Sequence, residues 1–336
     1  MKVLITGGAG YIGSTIASCC LDKGITPIIL DDFSKGLKSF ASQHSYYEGD
    51  IADRDLIQKI CKEHELDAVI HCAAKIVVPE SVSMPLAYYE NNVAKSITLL
   101  EELEKAGVKR FILSSTASMY KPGPDLMVDE DSEIASNSPY TSSKIMLEQI
   151  MQDFAKVSKL KMLALRYFNP IGADPKLRTG LQNPKPSHAL GKMLEAYKEH
   201  KPFTVTGVDW PTRDGSGLRD YIHVWDLACA HVAALERFDQ IMEQSNKEGY
   251  EVINLGTGTG TTVFELASAF GEASGRALEI ITDKPRPGDV VGCATRCDKA
   301  KRLLNWSCQL SIAQGVQHAL QFSEKLPAIL EQEKTL

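Results

Sequence analysis

The sequence lacks any apolar run long enough to cross a bilayer, and it lacks the long apolar core and cleavage site of a secretory leader. Its first residues, MKVLITGG, form a short apolar run that stops at glycines. Such a run is typical of a buried strand. We therefore expect a cytoplasmic protein without a membrane partner.

A basic surplus and a metal-binding cysteine pattern are also missing. The 336 residues include 37 Lys and Arg against 43 Asp and Glu, a formal net charge of -6. Because a nucleic-acid-binding surface needs positive charge, no nucleic-acid partner is expected. The eight cysteines contain no CxxC and have no histidine at zinc-ligand spacing, which predicts reduced thiols and no metal site.

Strand-like apolar runs alternate with helical patterns in the first half of the chain. The runs are KVLIT, TPIIL, DAVIHC, RFILSS and KMLALRYF, and the later helices are expected at about 86–106 and 139–156. This alternation predicts an α/β fold with a Rossmann-type doubly wound parallel sheet.

After about Asn169 the pattern loosens into segments rich in Pro and Gly, such as PTRDGSG, which predicts a smaller mixed α/β carboxy-terminal substrate lobe. We place the domains at 1–170 and 171–336, with some segments of the second returning to the first. The stretch KLPAILEQEKTL is expected to be a peripheral helix or a frayed tail.

The stretch TGGAGYIG places Gly7, Gly10 and Gly13 between a strand and a helix. Glycines at this spacing allow a tight turn in which a pyrophosphate can sit on the amides of the helix amino terminus. Asp31 follows the second strand, where a carboxylate accepts both hydroxyls of an adenosine ribose and repels a 2′-phosphate. These residues predict NAD as the cofactor in preference to NADP.

Asp50, in YYEGDI, follows the expected third strand. Two interpretations are open: its carboxylate could reach the adenine amine of the cofactor, or it could cap the next helix.

NSPYTSSK places Tyr140 one helical turn before Lys144. A free phenol has a pKa of about 10, so it needs a positive neighbour to act as a base near neutral pH. Lys144 could supply that charge and hold the nicotinamide ribose. In isolation such a pair is more often a buried aromatic beside a solvated lysine, but the dinucleotide motif upstream favours catalysis.

TGGAGYIG, SST at the fifth strand and YTSSK resemble the extended short-chain dehydrogenase/reductase superfamily. PESVSMPLAYYENNV, RYFNPIGA, GLRDYIHVWDLA, VINLGTGTG and RPGD are similar to one branch of it, the UDP-glucose (UDP-galactose) 4-epimerases. The resemblance runs from Met1 to about Phe322.

The resemblance implies an isomerase in which Tyr140 is the base, Lys144 its electrostatic partner and Thr116 the hydroxyl that bonds the sugar oxygen. Further cofactor-binding positions that it implies are Tyr11, Ile12, Asp32, Ile51, Ala73, Asn92, Ser114 and Tyr167. The implied substrate-binding positions are Thr116, Asn169, His188, Arg219, Arg286, Asp289 and Cys293.

Some of these positions have plainer interpretations. Arg219 and Arg286 would clamp the substrate diphosphate, or they could form surface ion pairs with Asp220 and Asp289. His188 resembles a residue that bonds a uracil ring, although an unplaced histidine is more often a surface residue.

The implied reaction interconverts UDP-glucose and UDP-galactose through a transient 4-keto sugar with tightly held NAD. Ala117 and Ser118 follow Thr116, where 4,6-dehydratases of the superfamily carry an acid/base pair. Two alternatives are open. The first is another UDP-sugar-modifying enzyme of the superfamily, either a UDP-glucuronate 4-epimerase or a 4,6-dehydratase. The second is a catalytically silent sensor of a nucleotide sugar or NAD.

Two further expectations rest on the resemblance. Cys293 stands where relatives restricted to unmodified hexoses carry tyrosine, so UDP-N-acetylglucosamine and UDP-N-acetylgalactosamine should also fit. The helices at 86–106 and 139–156 carry apolar residues beyond one sheet face, and the resemblance implies that they pair in a homodimer. Core packing is the plainer explanation. The residues in question are Leu99, Leu103, Ile145, Ile150 and Met151.

Overall fold

A parallel sheet is the centre of the computed structural model, which describes residues 1–183, 186, 188–245, 247–285 and 290–335. The strands of these residues are, in chain order, β1 (Lys2–Thr6), β2 (Thr26–Asp31), β3 (Ser45–Glu48), β4 (Ala68–His71), β5 (Arg110–Thr116), β6 (Met127–Val128), β7 (Lys161–Tyr167), β8 (Asn169–Ile171), β9 (Phe203–Thr206), β10 (Leu218–Arg219), β11 (Tyr221–His223), β12 (Tyr250–Leu255), β13 (Thr261–Thr262), β14 (Ile280–Asp283) and β15 (Ala294–Thr295).

Helices cover both faces of this sheet, and others follow it in the carboxy-terminal half of the chain. The α-helices are α1 (Tyr11–Asp22), α2 (Lys38–Ala41), α3 (Arg54–His64), α4 (Val78–Ser83), α5 (Pro85–Tyr89), α6 (Lys95–Lys105), α7 (Pro139–Ala155), α8 (Ala189–Glu199), α9 (Val224–Glu236), α10 (Phe238–Gln244), α11 (Val263–Ser274), α12 (Asp298–Leu304) and α13 (Ile312–Glu333). Within the described ranges, no helix combines the length and apolarity that a membrane span requires.

The sheet has seven strands in the order β12-β7-β5-β4-β1-β2-β3, and every neighbouring pair is parallel. The predicted doubly wound parallel sheet is therefore confirmed. The strand order reverses between β1 and β4, and ligands of such sheets bind at the carboxyl ends of the strands beside this point. The candidate site is built there.

Side chains alternate between two core layers along each buried strand. In β1, Val3 and Ile5 pack in the layer under α1 and α9, whereas Leu4 packs in the layer under α3, α6 and α7. All three side chains are fully buried. The near-continuous apolar strand KVLIT is thus explained by a sheet covered on both faces.

The carboxy-terminal half contributes to both parts of the molecule. β12 forms one edge of the large sheet, and α9 packs on α1. A separate apolar cluster joins α8, α11 and α13. The domain boundary at residue 170 stays a prediction. Residues 250–255 follow this boundary in sequence but belong to the large sheet.

The single helix expected at 86–106 is broken. α5 and α6 are joined by a π-helical turn, Glu90–Ala94, which widens the helix by one residue. The turn directs Asn92 into the interior, where its amide contacts Lys75 and Ser143. Periodicity did not indicate the turn, because the residues on either side keep an ordinary helical pattern.

The assignment of Leu99, Leu103 and Met151 to surplus apolar surface is wrong. All three are fully buried and pack with sheet residues in one core layer. The outward-facing apolar residues of this region are different: Leu86 is 80% exposed, Ile97 37% and Met146 46%.

Residues 325–333 of the stretch expected to be a peripheral helix or a frayed tail lie in the second half of α13. Leu326 and Ile329 are buried against Leu37 and Phe40. Pro327 lacks an N–H for the carbonyl of Ser323 four residues earlier, and the Nζ of Lys198 donates to that oxygen at 2.7 Å. A side chain of α8 therefore compensates for the proline.

Candidate active site

The turn after β1 has backbone positions that only glycine fits. Gly7 has a φ of +68°, and a Cβ placed on it would lie 2.6 Å from the amide nitrogen of Ala73. A Cβ on Gly13 would lie 2.3 Å from the carbonyl oxygen of Gly7. Gly10 is the N-cap of α1, and it has no side chain to cover the free amides of the first turn. The turn is open at the positive end of the helix.

Tyr11 and Ile12 point away from that opening. The hydroxyl of Tyr11 donates to the carbonyl of Gly172 at 2.7 Å, which links the turn to the start of the second lobe. Ile12 packs against the core layer under α1. Through these side chains, the two residues fix the direction of α1.

Asp31 lies at the end of β2, beside the glycine turn. Its two carboxylate oxygens accept from the amides of Ala9 and Phe33, each at 2.9 Å. Burial raises the pKa of Asp31, and these two amide hydrogen bonds act in the opposite direction. Asp32 is exposed and accepts from the amide and hydroxyl of Ser34. Of the two, Asp31 is held in one orientation at the strand end.

Asp50 does not cap the next helix, because Asp53 caps α3 by accepting from the amide of Leu56 at 3.0 Å. The carboxylate of Asp50 instead accepts from the amide of Ala52 and pairs with the ammonium of Lys95. Ile51, beside it, is buried. The helix-cap interpretation of Asp50 is therefore wrong.

Asn92 fixes the segment after β4. Its Oδ1 accepts from the amide of Lys75 at 2.8 Å, and its Nδ2 donates to the carbonyl of Lys75 and to Ser143 at 2.9 and 3.0 Å. The side chain is almost completely buried and has no hydrogen left for a ligand. Asn92 thus holds residues 73–75 in place beside Gly7.

Tyr140 lies in the first turn of α7. Ser138 caps this helix by accepting from the amide of Thr141, and Pro139 occupies the first helical position. The cap fixes where the helix begins, and therefore where the phenol lies. Tyr140 is 8% exposed, and the hydroxyl of Thr116, at the end of β5, is close enough to lower its pKa.

Lys144 lies one turn further along α7 and is 3% exposed. Its ammonium donates to the carbonyl of Ser114 at 3.0 Å. Burial lowers the pKa of Lys144 to about 8, so the side chain is mostly charged at neutral pH. The predicted pair is therefore brought together beside β5.

The pKa of Tyr140 differs from the expectation. Burial raises it above the usual value of 10.0, while the nearby hydroxyl of Thr116 lowers it. Burial is thus the larger of these two effects on the pKa of Tyr140.

Hydroxyl groups extend from Thr116 into α7. Thr116 donates to the hydroxyl of Ser118 at 3.1 Å, and Ser118 contacts the hydroxyl of Thr141 at 3.1 Å. Further back on β5, Ser114 contacts the hydroxyl of Tyr167 at 3.3 Å. Ser118 thus orients Thr116. The sequence analysis considered Ser118 only as a position without the acid/base group of the dehydratases.

Glu148 is a positioning residue that the sequence interpretation missed. It lies one turn after Lys144 and accepts from Ser115 on β5 at 2.5 Å, from Arg166 on β7 at 2.6 Å and from Tyr250 on β12 at 2.9 Å. Glu148 and Arg166 are 2% and 4% exposed. The signal available in the sequence was a carboxylate four residues after Lys144, on the same helix face.

Among the described residues, Arg219 does not form the ion pair with Asp220 that was one of its plainer interpretations. Asp220 is fully buried and accepts from Thr257, through its amide at 2.8 Å and its hydroxyl at 2.6 Å. The guanidinium of Arg219 donates instead to the carbonyls of Leu218 and Val291. Asn169 lies on β8, where its amide donates to the carbonyl of Asp220.

His188 caps α8, since its Nδ1 accepts from the amide of Gly191 at 3.2 Å. Its Nε2 is buried and has no hydrogen-bond partner among the described residues, and burial lowers the pKa of the ring to about 4. The ring lines a cavity of about 260 Å³ together with Tyr11 and Phe322. His188 is therefore partly buried and not a surface histidine.

Cys293 packs against the loop that follows Thr116. Its neighbours in this cluster are Ala117, Tyr120, Val128 and Phe168, and burial raises its thiol pKa to about 11. Arg286 and Asp289, which were expected to bind the diphosphate and a ribose, lie outside the described residues.

The residues at the strand ends fit a dinucleotide. The glycine turn leaves room that a Cβ would fill, and the helix amino terminus offers free amides to a pyrophosphate. Asp31 retains acceptor capacity for a ribose diol, because each oxygen receives one hydrogen bond from the chain.

Residues 3–256 match the NAD dependent epimerase/dehydratase family. The chain belongs to this family. A curated relative, UDP-glucose 4-epimerase 2 of Arabidopsis thaliana, is 38% identical over 326 residues, covering 93% of this chain and 91% of the relative.

Solved structures of UDP-sugar 4-epimerases superpose on nearly the whole chain. The UDP-glucose 4-epimerase of Stenotrophomonas maltophila with bound NAD and formylated UDP-arabinopyranose has a TM-score of 0.90 and 32% identity, covering 98% of this chain and 99% of that one. The UDP-Glc/GlcNAc 4-epimerase of Campylobacter jejuni has a TM-score of 0.82 and 32% identity, covering 96% and 99%.

Replacing Lys144 with Met should remove a pH-dependent cost of folding. The folded pKa of about 8 lies below the usual lysine pKa of 10.5, so between these pH values the unfolded chain binds more protons and stability rises with pH. The free energy of unfolding of the cofactor-free wild type, relative to Lys144→Met, should therefore increase from pH 8 to 10.5 in urea titrations. Lys156→Met, at the exposed C-cap position of the same helix, is the control. A difference that does not change with pH would contradict the lowered pKa.

Proposed function

We propose that the protein is an NAD-dependent isomerase that interconverts UDP-glucose and UDP-galactose at the fourth carbon of the sugar. The observation that carries this proposal is the group formed by Tyr140, Lys144 and Thr116 beside a glycine turn that fits a dinucleotide. Its relatives named UDP-glucose 4-epimerase match more than nine tenths of the chain, which supports the same substrate class.

The chain's own part in the reaction is to hold a sugar hydroxyl and move its proton. When bound, NAD would supply the hydride acceptor for the first step and, in its reduced form, the hydride donor for the return step. As a phenolate, Tyr140 takes the hydroxyl proton, and as the neutral phenol it later gives that proton back, while Thr116 orients the sugar oxygen beside it. Because burial raises the pKa of Tyr140, the phenolate form that acts as the base depends on the positive charge of Lys144 one helical turn away.

The substrate diphosphate needs donors outside the catalytic group. Arg219 lies at the edge of the second lobe with its guanidinium held against backbone carbonyls, so part of its donor fork is already oriented. We assign it, with Asn169 and His188, to binding of the UDP moiety.

Tyr140→Phe should lower the interconversion rate at least about a hundredfold, because the phenylalanine ring cannot carry the proton. The measurement is proton NMR of UDP-glucose incubated with purified protein and no added NAD, following the anomeric signal of UDP-galactose. Tyr46→Phe, at a tyrosine that is 43% exposed, is the control. If Tyr140→Phe kept the wild-type rate, the proposed base would be wrong. If neither protein converted UDP-glucose even with NAD supplied, the sensor interpretation would be favoured.

We further propose that the sugar pocket accepts an N-acetyl group at the second sugar carbon. Cys293 is small and packs beside the loop after Thr116, where a larger side chain would take up space. A structural neighbour that covers the same length is a UDP-Glc/GlcNAc 4-epimerase.

Cys293→Tyr should reduce conversion of UDP-N-acetylglucosamine about tenfold or more while sparing UDP-glucose, because the ring would occupy the space of the N-acetyl group. The two substrates would be compared by kcat/KM in the same NMR or coupled assay. Cys293→Ser, which keeps the side chain small, should convert both. Retention of both activities in Cys293→Tyr would overturn this assignment.

We also propose a homodimer that pairs the outer faces of α6 and α7 with those of a second copy. The support is the exposure of apolar residues on neighbouring helices: Ile97 on α6, Met146 on α7 and Leu86 on the preceding α5. Such apolar residues on a stable monomer would remain in contact with water, and pairing about a twofold axis would cover them.

The combination of Ile97→Glu and Met146→Glu should convert the dimer into a monomer, because it would bring four carboxylates into one apolar contact. Size-exclusion chromatography with light scattering measures the mass. Leu21→Glu, at an exposed position on α1, is the control. A wild-type protein that is monomeric at micromolar concentration would contradict the proposal.

A further inference from the structure

Residues 33–38 fold back over the part of the site that would hold the adenosine half of the cofactor. The amide of Leu37 donates to the carbonyl of Ala9 in the glycine turn at 3.1 Å. A Cβ placed on Gly36 would lie 2.7 Å from the Cβ of Ala9 and 2.9 Å from Oδ1 of Asp31. The backbone of this loop therefore lies directly against both elements.

The loop contains a strained residue. Phe33 has a φ of +54°, in the left-handed region that a bulky side chain rarely adopts. Its amide donates to Asp31, so the strain occurs next to the carboxylate expected to bind the ribose. A conformation of this kind persists only where contacts around it hold it.

One such contact comes from α13. The carboxylate of Glu333 accepts from the amide of Lys38 at 2.5 Å and from the amide of Ser39 at 2.9 Å. These amides open the first turn of α2, where the helix itself offers no acceptor. Glu333 thus satisfies two donors at the point where the loop ends.

Apolar packing between α13 and α2 fixes the position of Glu333. Phe322 of α13 lies 6.1 Å, centroid to centroid, from Phe40 of α2. Leu326 and Ile329 complete the same buried cluster with Leu37. The last turns of α13 are therefore docked on α2 by apolar contacts that do not involve the carboxylate of Glu333.

The side chain of Lys38 is not what Glu333 holds. Its ammonium pairs with Glu48 at 2.9 Å and lies over the ring of Phe33. The contact of Glu333 is to the main chain, so it acts on the loop backbone whichever side chain stands at position 38.

We propose that Glu333 is a positioning residue for the dinucleotide. By fixing the amides of Lys38 and Ser39, it keeps residues 33–38 closed over Asp31 and the glycine turn, and so slows release of the cofactor. This inference rests on the proposed NAD-dependent function. It gives α13, which lies far from Tyr140 in sequence, a part in retaining the cofactor during the reaction.

The test compares Glu333→Ala with Glu331→Ala. Glu331 lies on the same turn of α13, is 75% exposed in its side chain and pairs only with Lys334 among the contacts recorded for described residues, so its loss should change nothing at the loop. Each protein would be loaded with NAD, and the rate of NAD release after dilution would be measured by chromatography of the free and bound cofactor. UDP affinity would be measured by calorimetry on the same samples.

Glu333→Ala should release NAD about fivefold faster, the ratio expected when a helix-capping side chain is lost. UDP affinity should stay within twofold of wild type. Glu333→Gln, which keeps one carbonyl oxygen, should give an intermediate rate. In the cofactor-free protein, hydrogen exchange at the amides of Lys38 and Ser39 should be faster in Glu333→Ala and unchanged in Glu331→Ala.

Two results would overturn the proposal. In the first, Glu333→Ala would melt at a lower temperature but release NAD at the wild-type rate, which would reduce Glu333 to a stabilising cap. In the second, NAD would be released faster and the affinity for UDP would fall together with it, which would indicate general disruption of the fold. A wild-type protein that binds no NAD would overturn the proposed function as well, and that result is distinguishable from either of these.

Discussion

Glu148 connects the helix that carries Tyr140 and Lys144 to three strands of the sheet, and the position of that pair depends on it. Its carboxylate is shared by side chains from β5, β7 and β12, all in the interior. Removing one partner of such a buried pair leaves an unpaired charge, at a cost of about 3–5 kcal/mol. Glu148 lies one helical turn after Lys144 and two turns after Tyr140 on α7. Anchoring its carboxylate therefore sets the direction in which the other two side chains point.

The elements of the fold that are local in sequence could be predicted. The alternation of strands and helices, the glycine turn, Asp31 and the pair at the start of α7 each depend on residues within one short segment. Glu148 could not be placed in the same way, because Ser115, Arg166 and Tyr250 reach it from separate strands. The acidic residue was visible, but its partners were set by the order of strands in the sheet.

Burial was the other quantity that the sequence left undetermined. The apolar positions of α6 and α7 follow a helical period, yet a period does not tell which side the sheet covers, so Leu99 and Leu103 were assigned to the wrong face. The same limitation applies to Tyr140. Its pKa depends on how completely the surrounding chain excludes water, and spacing from Lys144 carries no information about that.

The π-helical turn at Glu90–Ala94 limits how the length of this region can vary. Removing one residue would restore an ordinary α-helix, and each residue before the deletion would rotate by about 100° relative to α6. Asn92 would then turn away from Lys75 and Ser143, and the segment beside Gly7 would lose its anchor. Single-residue insertions and deletions between Leu86 and Lys95 should therefore be far rarer among functional variants than substitutions on the outer surface of the same helix.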